Sequence, residues 1–322
     1  MKKPFGFLLI VLVCNLALFG CSKSIDMPFA PQAIPTTPTV SGQPLTYISQ
    51  FGSKGSGNGQ FLSMIGVTSD SLGNIYVADR NNYRVQKFDS MGSYVTQWGT
   101  AGSGQGQFAT LSGICADSSD NIYTVDEGTE TVQKFTNTGG YITRWGSVGS
   151  GNGQFLAPRG LTMDPWGNVC VVDAGKQDIQ KFTNTGSYVT GWSTNGSWDS
   201  VNSDPDGIAC DQSGNLYTPD YNNYCVIKYS KTGTYLCKWG SYGTGKGQFG
   251  TLSCGICVDK NGIVYVADYG NQRVSDFTET GTYLCEWGNT GAHTLGPFDY
   301  LCLSPSGKAY VMDNLTVKIF GP

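Results

Sequence analysis

The side chains able to do chemistry in this 322-residue chain are few in kind: one histidine, His293, eleven cysteines, and 24 acidic residues against 20 basic ones. A single imidazole excludes every mechanism that needs two or more, His-rich zinc sites included. The acids fall into two regular series. Asp79, Asp126, Asp173, Asp220, Asp268 and Asp313 recur at near-constant spacing, as do Asp70, Asp117, Asp164, Asp211 and Asp259. Such series could be read as rings of ligands. A short acceptor at each strand end is the simpler reading, because it satisfies backbone donors of the adjoining turn. Acids outside the series carry more information. Asp199, Asp204 and Asp206 share one aberrant stretch and supply hard oxygens of the kind Ca²⁺ takes, without the ordered spacing of a calcium loop. Trp198 in that stretch, with Tyr221, Tyr224 and Tyr269, offers an aromatic platform for a sugar, a peptide or an apolar ligand.

The thiols point away from chemistry. Cys254 and Cys257 form a lone CxxC with no second pair, so neither zinc nor redox work is expected there. Setting aside Cys14 and Cys21 leaves nine cysteines, an odd number that cannot all pair within the chain. Cys115, Cys257 and Cys302 occupy positions where other repeats carry Thr68, Thr162 and Ala209. Replacing small neutral residues in packed strands is the behaviour of buried free thiols. Disulfides between repeats stay open.

Composition narrows the elements that must position these groups. Glycine is 45 of 322 residues and charged residues only 14%, against usual values of about 7% and 25%. Glycine in helix interiors costs about 1 kcal/mol relative to alanine, so so many glycines call for turns between short strands. Hydrophobic residues at 39% and aromatics at 12% exclude a disordered chain.

Residues 1–20 read as targeting sequence. Lys2 and Lys3 precede an apolar run from Phe5 to Phe19, too short for a membrane span. The run ends in Leu18-Phe19-Gly20-Cys21, which resembles a bacterial lipobox and implies lipidation of Cys21. Residues 21–44 carry Pro28, Pro31, Pro35, Pro38 and Pro44 among Ser and Thr, a composition for an extended tether. The expected location is therefore outside the cytoplasm, lipid-anchored to the cell envelope, facing the periplasm or the cell surface. Loss of Lys2 and Lys3 leaves 18 basic residues against 24 acids, a net charge of −6. That balance disfavours nucleic acid as a partner.

Residues 45–322 are repeats. Trp98, Trp145, Trp192, Trp239 and Trp287 follow one another at 47, 47, 47 and 48 residues, and Phe51 lies 47 before the first. Gly-Ser-Gly-Asn-Gly-Gln-Phe-Leu stands unchanged at 55–62 and 149–156, and Gln-Lys-Phe-Thr-Asn-Thr-Gly at 133–139 and 180–186. Each unit holds four strand candidates; in the first these are Gly66–Asp70, Asn74–Asp79, Arg84–Phe88 and Tyr94–Trp98. Four antiparallel strands per unit, six units in all, predict a six-bladed β-propeller of the all-β class. The last unit stops after its third strand, so Leu45–Phe51 is expected to complete that blade and close the ring.

The order Gly102–Phe108, Gly113–Asp117, Asn121–Asp126 and Thr131–Phe135 in the second unit resembles the NHL repeat, and the resemblance extends over residues 45–322. It implies a six-bladed propeller whose relatives include RNA readers, protein-interaction modules, sensors and some enzymes. Lyases of that group use several histidines at zinc, which His293 alone cannot supply. Nucleic-acid readers of the group present a basic face, whereas Arg80, Arg84, Arg159 and Arg273 are scattered among acids here.

Function is expected where the repeats differ. The second-to-third-strand turns and the loops leading into each first strand share one face. Those lead-in loops place Arg159, Asp204, Asp206 and Cys254 beside the central channel, and the fourth is the aberrant stretch from Ser193 to Asp206. The leading expectation is a non-catalytic binding module for a protein or glycan, needing no cofactor, with Trp198, Tyr221, Tyr224, Tyr269, Arg159 and Asp206 as binding residues. The alternative is a hydrolase or lyase of the gluconolactonase-like group, assisted by Ca²⁺ at Asp204 and Asp206.

Overall fold

The computed structural model describes residues 42–195, 205–291, 293–296 and 298–322, without the side chains of Ser253 and Cys254. Cys21, Trp198, Asp199 and Asp204 lie outside the described residues. Residues 40–322 form one compact unit.

Six four-stranded antiparallel sheets follow one another along the chain. Blade 1 is built from Met64–Ser69, Ile75–Asp79, Arg84–Phe88 and Tyr94–Trp98, close to the ranges read from sequence. The second and third strands, rich in Val, Ile and aromatic residues, are buried throughout because a neighbouring blade covers each face. Fourth strands such as Tyr94–Trp98 alternate exposed and half-buried residues, as the outer rim of a ring must. Each interface between blades is its own apolar cluster; Ile65, Tyr76, Phe108, Ile114 and Phe135 fill the one between blades 1 and 2.

The ring closes through the N-terminal strand. Thr46–Phe51 pairs antiparallel with Thr316–Gly321, Thr46 opposite Gly321 and Phe51 opposite Val317, and supplies the fourth strand of blade 6. Tyr47 packs into the core between blades 5 and 6, and Phe51 into that between blades 6 and 1.

Strand direction divides the ring into two faces. A loop face gathers the lead-in loops and the turns between second and third strands. A turn face gathers the tight turns between first and second and between third and fourth strands. On the turn face the first-strand aspartates build Asx turns: Asp70 Oδ1 accepts from the amides of Leu72 and Asn74, and its Oδ2 from Tyr76 Oη. The second-strand aspartates do more than serve the turn that follows. Asp126 accepts from the Gly128 and Thr129 amides of that turn and also from Ala109 and Thr110 of the lead-in loop, tying two segments of the loop face together.

One lysine per interface joins blades 1 to 5. Lys87, Lys134, Lys181 and Lys228 each pair with the first-strand aspartate of their own blade, at 3.6, 3.7, 3.1 and 3.9 Å. Each also donates to a turn carbonyl of the next blade, those of Asn137, Asn184, Lys231 and Glu279. At the same position blade 5 has Asp276 and blade 6 has Ile319.

Candidate functional site

The channel is lined by the first strands of all six blades, which approach so closely that side chains are unwelcome. A Cβ on Gly113 would lie 2.4 Å from the Arg159 carbonyl oxygen, and one on Gly160 2.6 Å from that of Asp206. Glycine is therefore the repeat's residue at this ring, and Tyr300 of blade 6 is the departure. Its side chain lines the channel cavity of about 220 Å³ and packs against the cores on both sides of blade 1.

The residue before each ring position differs between neighbouring blades: Ile65, Ser112, Arg159, Asp206, Cys254 and Asp299, of which Ile65, Ser112, Arg159 and Asp206 line the channel cavity. Arg159 and Asp206 form an ion pair across blades 3 and 4. Burial and the charge of Asp206 hold the Asp299 carboxyl above the usual carboxylate range. Arg159 and Asp206 thus come together as expected at the channel. Asp299 and Tyr300 were missed in the sequence, because the loop before them keeps no Gly-Gln-Phe motif to align on.

The lead-in loops of blades 1 to 3 share a side-chain lock that blade 4 lacks. In blades 1 to 3, Gln86, Gln133 and Gln180 each accept from a loop glycine amide and donate to a loop carbonyl, as Gln86 does with Gly59 and Gln60 at 3.0 and 2.8 Å. In blade 4 that position is Ile227, fully buried, which has no hydrogen bond to offer. Blade 5 keeps the regular Gly-rich loop with Ser275 at this position, so the glutamine accompanies the motif in blades 1 to 3 without being required by it.

On the same face, tyrosines gather over blades 4 and 5. Tyr221 and Tyr269 follow the second strands of adjacent blades, where blades 1, 2 and 3 carry Arg80, Glu127 and Ala174. Tyr224 holds a left-handed backbone at φ +52° and meets Tyr242 edge-on, ring centroids 5.0 Å apart. Tyr242 is 70% exposed, Tyr221 47% and Tyr269 39%. The expected residues Tyr221, Tyr224 and Tyr269 therefore lie on the same face as Tyr242, which packs on Tyr224 and is hidden in the sequence inside the Gly-rich loop.

Other reactive groups are occupied structurally. Eight described cysteines are free thiols, and burial pushes Cys170 up to about 12 and Cys115, Cys210 and Cys302 higher still, so they are poor nucleophiles. His293 stacks on Tyr47 of the rim strand of blade 6, centroids 3.8 Å apart, and is not among the residues lining the channel. Arg84 and Arg273 are buried and bonded to Asp79 and Asp268, and Arg80 pairs with Glu127. Among the described residues, no three His, Cys, Asp or Glu side chains converge as metal ligands.

The fold is thus a six-bladed β-propeller that carries NHL repeats. The NHL repeat is matched at residues 64–88 and 255–277. No curated protein matches the chain. Similar solved structures include a streptogramin B lyase (15% identity, 86% of this chain and 98% of that one, TM-score 0.61). Another is a gluconolactonase from Xanthomonas campestris (13% identity, 87% and 98%, TM-score 0.61). A third is a catalytically inactive histidine-to-alanine variant of virginiamycin B lyase from Staphylococcus aureus with quinupristin (12% identity, 80% and 84%, TM-score 0.58). At these identities the likeness is one of fold.

Proposed function

We propose that this protein is a lipid-anchored, extracytoplasmic β-propeller that binds a protein or glycan, without catalysis, through the loop face of blades 4 and 5. The tyrosine group carries this reading. Tyr221, Tyr242 and Tyr269 expose large, stiff side chains with hydroxyl handles at positions where the repeat elsewhere holds charged or small residues. The ion pair of Arg159 with Asp206 adds charge at the channel on the same face. Nucleic acid is disfavoured because Arg80, Arg84, Arg159 and Arg273 are all engaged by acids of the ring. Anchoring is supported by the apolar run ending in Cys21 and by the proline-rich tether after it. A glycan array and envelope pull-down with the full chain tests the binding face: Tyr221→Ala with Tyr242→Ala should abolish capture. Incorporation of a palmitate analogue, lost in Cys21→Ser, tests the anchor.

A second reading is favoured by the charged, asymmetric channel mouth: a hydrolase or lyase acting there, as fold likeness to a gluconolactonase and to lyases suggests. Histidine-dependent chemistry would fall to His293, which stands on Tyr47 instead. A Ca²⁺ ion at Asp206 would have to displace the Arg159 guanidinium, so the described carboxylates fit calcium poorly. Lactone hydrolysis by the purified protein that needs added Ca²⁺ and disappears in Asp206→Asn would establish this reading over the first.

A further inference from the structure

The turn face carries residues that its own repeat argues against. At the tip of the turn between first and second strands, blades 2, 4, 5 and 6 have Ser119, Ser213, Asn261 and Ser306, whereas blade 1 has Leu72 and blade 3 has Trp166. At the tip between third and fourth strands, blades 2 to 5 have Thr138, Thr185, Thr232 and Thr280, whereas blade 1 has Met91. The Asx hydrogen bonds of the turns do not require the larger residues, since they form with either kind: Asp70 bonds the amide of Leu72 as Asp211 bonds that of Ser213, and Trp166 also packs on the next blade, over Gly214 and Lys231. Leu72 is 79% exposed, Met91 66% and Trp166 58%.

Their placement is regular. Leu72 and Met91 stand on adjoining turns of blade 1, where a Cβ on Gly73 would touch Ser90. Trp166 stands on blade 3, beside Lys231, whose Nζ lies 4.9 Å from the indole centroid. The chain itself joins this same face over blade 5: Thr46 is paired with Gly321 at the turn-face end of its strand, and Gly42 lies against Leu284 and Cys285. Blades 1, 3 and 5 are about 120° apart on a six-bladed ring. Two apolar contacts and the attachment of the tether thus make a three-point support in one plane.

We propose that the turn face rests on a lipid bilayer, with Leu72, Met91 and Trp166 entering the headgroup boundary, so that the tyrosines of the loop face point away from the membrane. Exposed Leu and Met gain by burial in the acyl boundary, and an indole beside a lysine suits the headgroup level. Lys260, exposed at the tip of the blade 5 turn, adds a cation. Glu279, exposed and paired with Lys228, is an acid of that face, while Asp89 is bonded within its turn and Asp120 to Ser71 of the neighbouring blade's turn. The bilayer as occupant follows from the anchor proposed at Cys21, but the contact is testable without it. Residues 42–322 contain every strand of the ring, including the one that closes it.

The experiment is flotation of residues 42–322 with vesicles of phosphatidylethanolamine and phosphatidylglycerol. The parent ring should float with the vesicles. Leu72→Ser, Met91→Thr and Trp166→Ser together, each a residue the repeat already uses in that turn, should reduce binding about tenfold at unchanged thermal unfolding. Tyr221→Ser with Tyr242→Ser, on the other face, should leave flotation as it was. A parent ring that does not float, a triple variant that binds as well as the parent, or equal losses from both faces would overturn the proposal. Failure of palmitate labelling at Cys21 would strike the anchor alone.

Discussion

The interfaces between blades 1 and 5 and the two interfaces around blade 6 solve the same packing problem differently. In the first group a buried lysine spans each boundary, bonded to an aspartate behind it and a turn carbonyl ahead. Around blade 6 no turn joins the third strand to the fourth, because the fourth comes from the other end of the chain. For blade 5 the carbonyl that would receive the lysine is not built; for blade 6 the turn of blade 1 is present but Ser304 stands where the first-strand aspartate would be, so either ammonium would lack one of its two partners, which would be costly. Asp276 and Ile319 take its place. Asp276 accepts from Trp287 Nε1 at 3.1 Å and Cys285 Sγ at 3.2 Å, while Trp287 turns into the core against Phe320. The contrast shows which part of the repeat is needed for a blade and which for a boundary: the second-strand aspartates persist in every blade, the lysine only where a first-strand aspartate stands behind it and a neighbour's turn ahead.

The largest effect should come from the seam itself. Deleting residues 42–51 removes the closing strand with Tyr47 and Phe51, and the remaining chain should lose its cooperative thermal transition; restoration by a peptide of residues 42–51 would show that closure needs no covalent link. Next, Lys181→Met leaves the buried Asp164 carboxylate without its cation and should cost about 3 kcal/mol in chemical denaturation. Ile319→Met, at the same position in the seam, should cost less than about 1.5 kcal/mol.

Asp276 tests the other half of the contrast. Burial is the main cause that raises its carboxyl to about 7, opposed by its hydrogen bonds to Cys285 and Trp287, with Asp259 adding repulsion. The folded ring therefore holds this proton more tightly than the unfolded chain does. Stability falls as pH rises from about 4 through about 7 and is lowest above it. Tyr265, Cys257 and Asp259 face the same pocket and add no countercharge. Asp276→Asn should raise stability at pH 8 by on the order of a few kcal/mol, change little at pH 5, and flatten the profile between. The smallest effect on stability should be that of Tyr221→Ala with Tyr242→Ala, within about 0.5 kcal/mol for each exposed ring.

The architecture was legible because it is periodic. The 47-residue spacing of Trp98, Trp145, Trp192 and Trp239 gave the blade count, and the missing fourth strand after Phe320 announced that Leu45–Phe51 would close the ring. The departures were legible as letters and not as meanings. Ser275-Asp276-Phe277 in place of Gln-Lys-Phe is visible in the sequence, but its reason lies in a turn that blade 6 lacks. Ile227 in place of glutamine is likewise visible, but that the glutamine holds the lead-in loops of blades 1 to 3 is seen only in the structure. Tyr242 hid inside a glycine motif, and Asp299 and Tyr300 lie behind a loop with no motif to anchor the alignment. Repetition reveals what every blade shares; function sits at positions where the shared register is hardest to follow.

The most direct measurement is capture of a ligand from an envelope extract or glycan array by the full chain, compared with two variants of equal size on the same face. Tyr221→Ala with Tyr242→Ala, on blades 4 and 5, should lose capture. Arg80→Ala with Glu127→Ala, at the positions of blades 1 and 2 equivalent to Tyr221, should keep it. Capture that survives the tyrosine changes, or that both variants lose alike, would contradict a recognition surface on blades 4 and 5.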